Sequence, residues 1–117
     1  MGYAVAAENA AITAISSAAT YISLHTADPG TTGANEVTGG TYARVATSWG
    51  TVSNGTFTGS QVTINVPSGT TIGFWGIWSL ASGGTSANFY YGGSLPASES
   101  YGSAGTYALT PSITASN

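Results

Sequence analysis

Ile72–Leu80 reads IGFWGIWSL, the most apolar run in the chain. In an extended segment side chains alternate, so Phe74 and Trp78 share one face and Trp75 and Ile77 the opposite one. A strand that is apolar on both faces is usually covered on both. The run therefore predicts a central strand, or one whose second face meets a subunit. Its neighbours alternate more simply. Gln61–Val66, QVTINV, turns Val62, Ile64 and Val66 inward and Thr63 and Asn65 outward. Thr20–Thr26, TYISLHT, separates Ile22 and Leu24 from Tyr21, Ser23 and His25. Thr41–Trp49, TYARVATSW, sets Ala43, Val45, Thr47 and Trp49 against Tyr42, Arg44 and Ala46. Phe89–Leu95, FYYGGSL, is a further short strand. Thr106–Ala115, TYALTPSITA, divides at Pro111 into two edge pieces, because proline cannot donate to a ladder.

Turn signals separate these segments. Asn54-Gly55 is a strong hairpin signal, since a type I′ turn needs two residues at positive φ. Asp28-Pro29-Gly30, Pro67–Thr71 and Gly83–Asn88 also turn the chain. Ahead of the strands, residues 4–19 are rich in alanine, the best helix former. Val5, Ile12, Ile15 and Ala19 fall on one helical stripe, with Glu8 in the first turns. The expected fold is mainly β: an antiparallel β-sandwich or barrel-like domain with one short N-terminal helix. It forms a single domain over 1–117, the helix at about 4–19 and the β region at about 20–117.

Composition narrows the function. One Lys or Arg, four acids and one histidine leave only 4% of the chain charged, against about 25% in ordinary domains. One cation cannot neutralise a run of phosphates, so no nucleic acid is expected as a partner. No membrane is expected either: there is no polybasic anchor, and the N-terminus lacks a basic region and is interrupted by Glu8 and Asn9. Without cysteine there is no thiolate metal site. Little charge means little repulsion between neighbours, which suits a crowded assembly.

Leu24–Gly40, LHTADPGTTGANEVTGG, gathers the one histidine and two of the four acids, and Arg44 follows four residues later. A Ser-His-acid reading would use His25 and Asp28, but no serine stands in a nucleophile context. A glycosidase pair would draw on Asp28, Glu36 and Glu99, with nothing to place them across a groove. Asp28, Asn35 and Glu36 offer oxygen ligands to Ca²⁺ without a recognisable spacing. The preferred reading is structural, with no catalytic, cofactor or metal residues. Asp28 makes an Asx turn, and Glu36 or Asp28 pairs with the planar fork of Arg44 to clamp the loop. Trp75, Tyr90 and Tyr91 are candidates for a partner interface, because Trp and Tyr concentrate at interface hot spots.

Tyr21–Arg44, YISLHTADPGTTGANEVTGGTYAR, strongly resembles a family of small virion proteins of tailed bacteriophages. Members open with an Ala-rich helix and continue as SLHTADPG-TGANEV-GG-YAR. A later GLW strand is similar to GFWGIWSLASGG here, and a GG-L segment to YYGGSL. The resemblance runs to about Leu95, and the tail from Ala97 departs from it. It implies a non-enzymatic structural protein of the virion, made in the host cytoplasm. Its first implication is a capsid decoration (cement) protein, a homo-oligomer with the trimer favoured, that binds the major capsid protein and stabilises the shell. The alternative is a tail-fibre or minor tail component that joins other tail proteins and contacts the host. A virion lectin or glycan-active enzyme comes third.

Overall fold

The computed structural model describes residues 13–51 and 56–114. The strands are β1 (Tyr21–His25), β2 (Val45–Ala46), β3 (Thr56–Thr58), β4 (Val62–Val66), β5 (Thr70–Trp78), β6 (Phe89–Tyr101), β7 (Gly105–Leu109) and β8 (Ser112–Thr114). The fold is mainly β and sandwich-like, with every strand pair antiparallel.

One layer is a four-stranded sheet in the order β2-β1-β5-β6. β5 lies between β1 and β6, so both of its hydrogen-bonding edges are paired. Ile22 faces Ile77 and Leu24 faces Trp75 across β1 and β5. β6 is longer than β5, and its register shifts twice. At one shift Tyr90 is an extra residue between the Phe89–Trp78 and Tyr91–Ile77 pairs. At the other, the segment holding Pro96 bulges out between the pairs of Ser94 and Glu99, which suits a residue without an N–H.

The second layer is a two-stranded ribbon. Thr56–Thr58 pairs with Thr114–Ser112, and Val62–Val66 with Leu109–Gly105. The register slips by one residue between these halves, where the Gly59 N–H donates to the Pro111 carbonyl at 2.8 Å. β3–β4 and β7–β8 are thus two halves of one kinked ribbon. Trp49 bridges Gly59 on its other side. The chain divides at Pro111 as its sequence predicts.

Between the layers lies an aliphatic core of Ile22, Leu24, Val62, Ile64, Val66, Ile72, Ile77 and Ile113, closed by Trp75. β4 shows the simple alternation: Val62, Ile64 and Val66 are buried, Thr63 and Asn65 exposed. Residues 13–18 are helical. Ile15 packs on the core, and the Trp49 indole donates to the Ala19 carbonyl at 2.9 Å, fixing the helix end. The earlier part of the expected helix, with Val5, Glu8 and Ile12, and the Asn54-Gly55 turn lie outside the described residues.

Two expectations are corrected. The strand expected over Thr41–Trp49 is only Val45–Ala46, with Trp49 in an isolated bridge. Gly39 and Gly40 take positive φ, 101° and 55°, so the chain is turning as it reaches Tyr42. Tyr42 and Arg44 are then held by side-chain partners rather than by a ladder. Trp75 is not an exposed anchor: it is 6% exposed and packs on Tyr91 with ring centroids 5.5 Å apart. Of the three interface candidates, Tyr90 is the exposed one, and Tyr91 is half-buried.

Candidate functional site

β1 is buried on both faces. Ile22 and Leu24 face the aliphatic core, while Ser23 and His25, on the other face, are each 0% exposed. Their cover is the chain's own loop between β1 and β2. Pro29 and Gly33 within it are buried, over a small aromatic layer formed by Trp78 and Phe89 (centroids 4.9 Å apart) with the His25 ring edge-on to Phe89. A Cβ on Gly33 would stand 2.4 Å from the Trp78 ring, and its φ is 79°, so both space and backbone demand glycine there. Gly76 on β5 likewise leaves room for Phe89, Ser23 and His25.

The polar groups inside this layer form one closed chain. The Trp78 Nε1–H donates to Ser23 Oγ at 2.9 Å. Ser23 Oγ lies 2.7 Å from His25 Nε2, and His25 Nδ1 lies 2.7 Å from the Ala34 carbonyl. A carbonyl only accepts, so the ring proton is on Nδ1, and Nε2 accepts from the Ser23 hydroxyl. Every donor and acceptor is then used. Burial pushes the His25 pKa down; it outweighs the Ala34 hydrogen bond and the Glu36 charge, which raise it, and Arg44 adds to the lowering.

A second cluster closes the loop at its far end. Arg44 Nε and Nη2 donate to Glu36 Oε2 and Oε1, each at 2.8 Å, a bidentate pair with side chains 4% and 19% exposed. Arg44 also donates from Nη1 to the Leu80 carbonyl (2.9 Å) and from Nη2 to the Gly83 carbonyl (3.0 Å). Its guanidinium carbon stands 3.7 Å from the Trp78 ring centroid, a cation–π stack. Tyr42 completes the set: its hydroxyl donates to Glu36 Oε2 at 2.7 Å and accepts from the Leu24 N–H at 3.1 Å. That N–H lies between the β2 pairing and the His25–Glu36 bridge, so the phenol oxygen takes the place of a strand partner. Burial pushes the Glu36 carboxyl up, but the Arg44 and Tyr42 hydrogen bonds outweigh it and hold the carboxyl below its usual range. Burial and the Glu36 carboxylate drive the Tyr42 phenol far above its ordinary value.

The loop clamp drawn from the sequence is therefore placed on Glu36 and Arg44. Asp28 serves elsewhere: its Oδ1 accepts from the Gly30 N–H at 2.8 Å, an Asx turn, while its carbonyl accepts from Asn35 Nδ2 at 3.1 Å. Ser23, Tyr42 and Trp78 are the members that sequence reasoning missed. The Ser23–His25 contact has the length of a catalytic pair, but neither side chain reaches solvent, and the Ser23 oxygen also serves Trp78. Glu99 stands exposed on β6, paired with Ile72 of β5. Among the described residues no three His, Asp or Glu side chains gather as metal ligands. An open groove of about 300 Å³ runs beside the clamp, between Thr38, Tyr42 and Ser82.

The fold and this cluster define a β-sandwich-like domain with one long surface loop locked at both ends. The family model described as podophage GP4 fiber I protein gp80 matches residues 5–113. The chain belongs to that family and is a structural protein of a phage virion. No curated protein matches it.

Proposed function

We propose that the chain is a fibre component of a podophage virion, acting through surface contacts rather than catalysis. The observation that carries this reading is the match over residues 5–113 to a family described as a fibre protein. It favours the fibre over the shell decoration that the sequence motif first suggests. Two physical features support it. Ser23, His25, Glu36 and Arg44, the buried or half-buried polar side chains of the motif, are bound to one another or to backbone and hold a loop. A surface with so little charge permits close lateral contact with other virion proteins and with further copies of the chain.

Shell decoration is the second reading. What favours it is a sandwich without a heptad pattern or repeat in its 117 residues, a shape equally suited to a module seated on a capsid. Gold-labelled antibody on intact virions separates the two. Label at the tail and its appendages supports the fibre reading. Label distributed around the head replaces it with decoration, and absence from the particle overturns both.

A further inference from the structure

The two locks on the loop differ in chemistry. The Glu36–Arg44 end is an ion pair whose carboxyl is held below its usual range. The Asp28–Asn35 end reaches the body through few polar contacts: His25 Nδ1 to the Ala34 carbonyl, and the Thr26 N–H and hydroxyl to the Asn35 carbonyl. It also rests with Pro29 against Gly92 and Gly33 against Trp78 and Phe89. We propose that the Asp28–Asn35 segment is an acid-released flap: protonation of His25 frees it while the Glu36–Arg44 clamp holds as its hinge, uncovering the aromatic face of Trp78 and Phe89.

The geometry shows why the proton is not tolerated in the closed form. With Nδ1 already donating to Ala34, a second proton goes to Nε2. Nε2 faces Ser23 Oγ, which then accepts from both Trp78 and His25 and must turn its own hydrogen away from the bond it now makes. Among the described residues no carboxylate is free to pair with the imidazolium. Glu36, across the bridge from His25, is bound by Arg44 and Tyr42, and the Arg44 charge opposes its attraction. Asp28 lies on the exposed side of the loop, tied to Gly30. Phe74, Gly76, Trp78, Phe89 and Gly92 of β5 and β6 lie at this region, none of them titratable. A buried unpaired charge is costly, so the ring must reach water. β1, β5 and β6 are fixed by their ladders; the loop is the cover that can move.

The chain has one histidine, so its ring resonances need no assignment. The test is amide exchange of the full chain between pH 7.5 and 4.5, expressed as protection factors, with the His25 ring followed by NMR. The Thr26 amide, which donates to the Asn35 carbonyl where the flap joins the body, reports opening; the Val37 amide, bonded to the Leu24 carbonyl beside the clamp, reports the hinge. Protection of Thr26 should fall about tenfold per pH unit below about pH 6.5, with Val37 unchanged. His25→Gln should abolish that dependence. Loss of protection at both amides together would mean global acid unfolding and overturn the proposal. So would constant protection of Thr26 through the His25 titration, or the same acid release in His25→Gln. Should that variant not fold, the contrast within the wild-type chain still decides.

Discussion

Replacing Arg44 with alanine removes four hydrogen bonds and a ring stack in one step. Removing one partner of a buried ion pair costs about 3–5 kcal/mol, because the other charge is left uncompensated. Here Glu36 keeps 19% exposure and its Tyr42 bond, which lowers that to about 2–3 kcal/mol. The Leu80 and Gly83 carbonyls lie in an exposed turn, where water replaces the lost donors. The stack on Trp78 adds about 0.5–1 kcal/mol. Arg44→Ala should therefore lose about 3 kcal/mol, a drop of roughly 10–15 °C in Tm for a chain of this size. The assay is urea and thermal unfolding followed by tryptophan fluorescence, with limited proteolysis of the loop. Glu36→Gln supplies the cycle: the double variant should lose at least about 1 kcal/mol less than the sum of the single ones, since neutralising Glu36 relieves the stranded charge. A loss under about 0.5 kcal/mol, additive energies and unchanged proteolysis would refute the clamp.

Gly33→Ala puts a methyl group against Trp78 at a positive φ, and should lose about 2–4 kcal/mol by urea unfolding. Tyr42→Phe leaves the Leu24 N–H without its oxygen and should cost about 1–3 kcal/mol in the same assay. The folded chain holds the Tyr42 proton above the ordinary phenol value of 10.0, so the unfolded chain loses its proton first as pH rises. Stability should then fall above about pH 10, and Tyr42→Phe should flatten that limb in a pH series of unfolding midpoints. Glu36 works in the opposite direction: its contribution is complete above about pH 4.5 and is lost as pH falls through its lowered folded value, a limb that Glu36→Gln should remove. Thr63→Ala, on the exposed face of β4, is the control and should change stability by less than about 0.5 kcal/mol.

The strands that see solvent on one face were the legible ones. β4 alternates because half of it faces water; β5 was legible for the opposite reason, since the aliphatic core covers one of its faces and the loop after β1 covers the other, so Trp75, Ile77 and Trp78 are all buried. β1 was harder to read. Its Ser23 and His25 read as an outward polar face, yet the chain folds its own loop over them, and only the chain of bonds from Trp78 to Ala34 makes that burial tolerable. A scarce cation announced the clamp, but not which acid it takes. Asp28 is satisfied locally by the turn that Pro29 and Gly30 build, which leaves Glu36 for Arg44. Tyr42 reads as sharing the face of Arg44, but nothing local shows that its hydroxyl joins Glu36 to the Leu24 N–H, since both partners are distant in sequence. Pairing of β3–β4 with β7–β8 joins segments far apart in sequence, and no local pattern encodes such a contact.

The long motif Tyr21–Arg44 makes a locked surface on a structural protein of a phage virion, and the role proposed for the chain there is that of a fibre component. Its copy number in purified particles, measured by quantitative mass spectrometry against the major capsid subunit, tests that most directly. A small fraction of the capsid subunit count is the predicted result. A ratio near one to one would contradict it and place the protein on the shell.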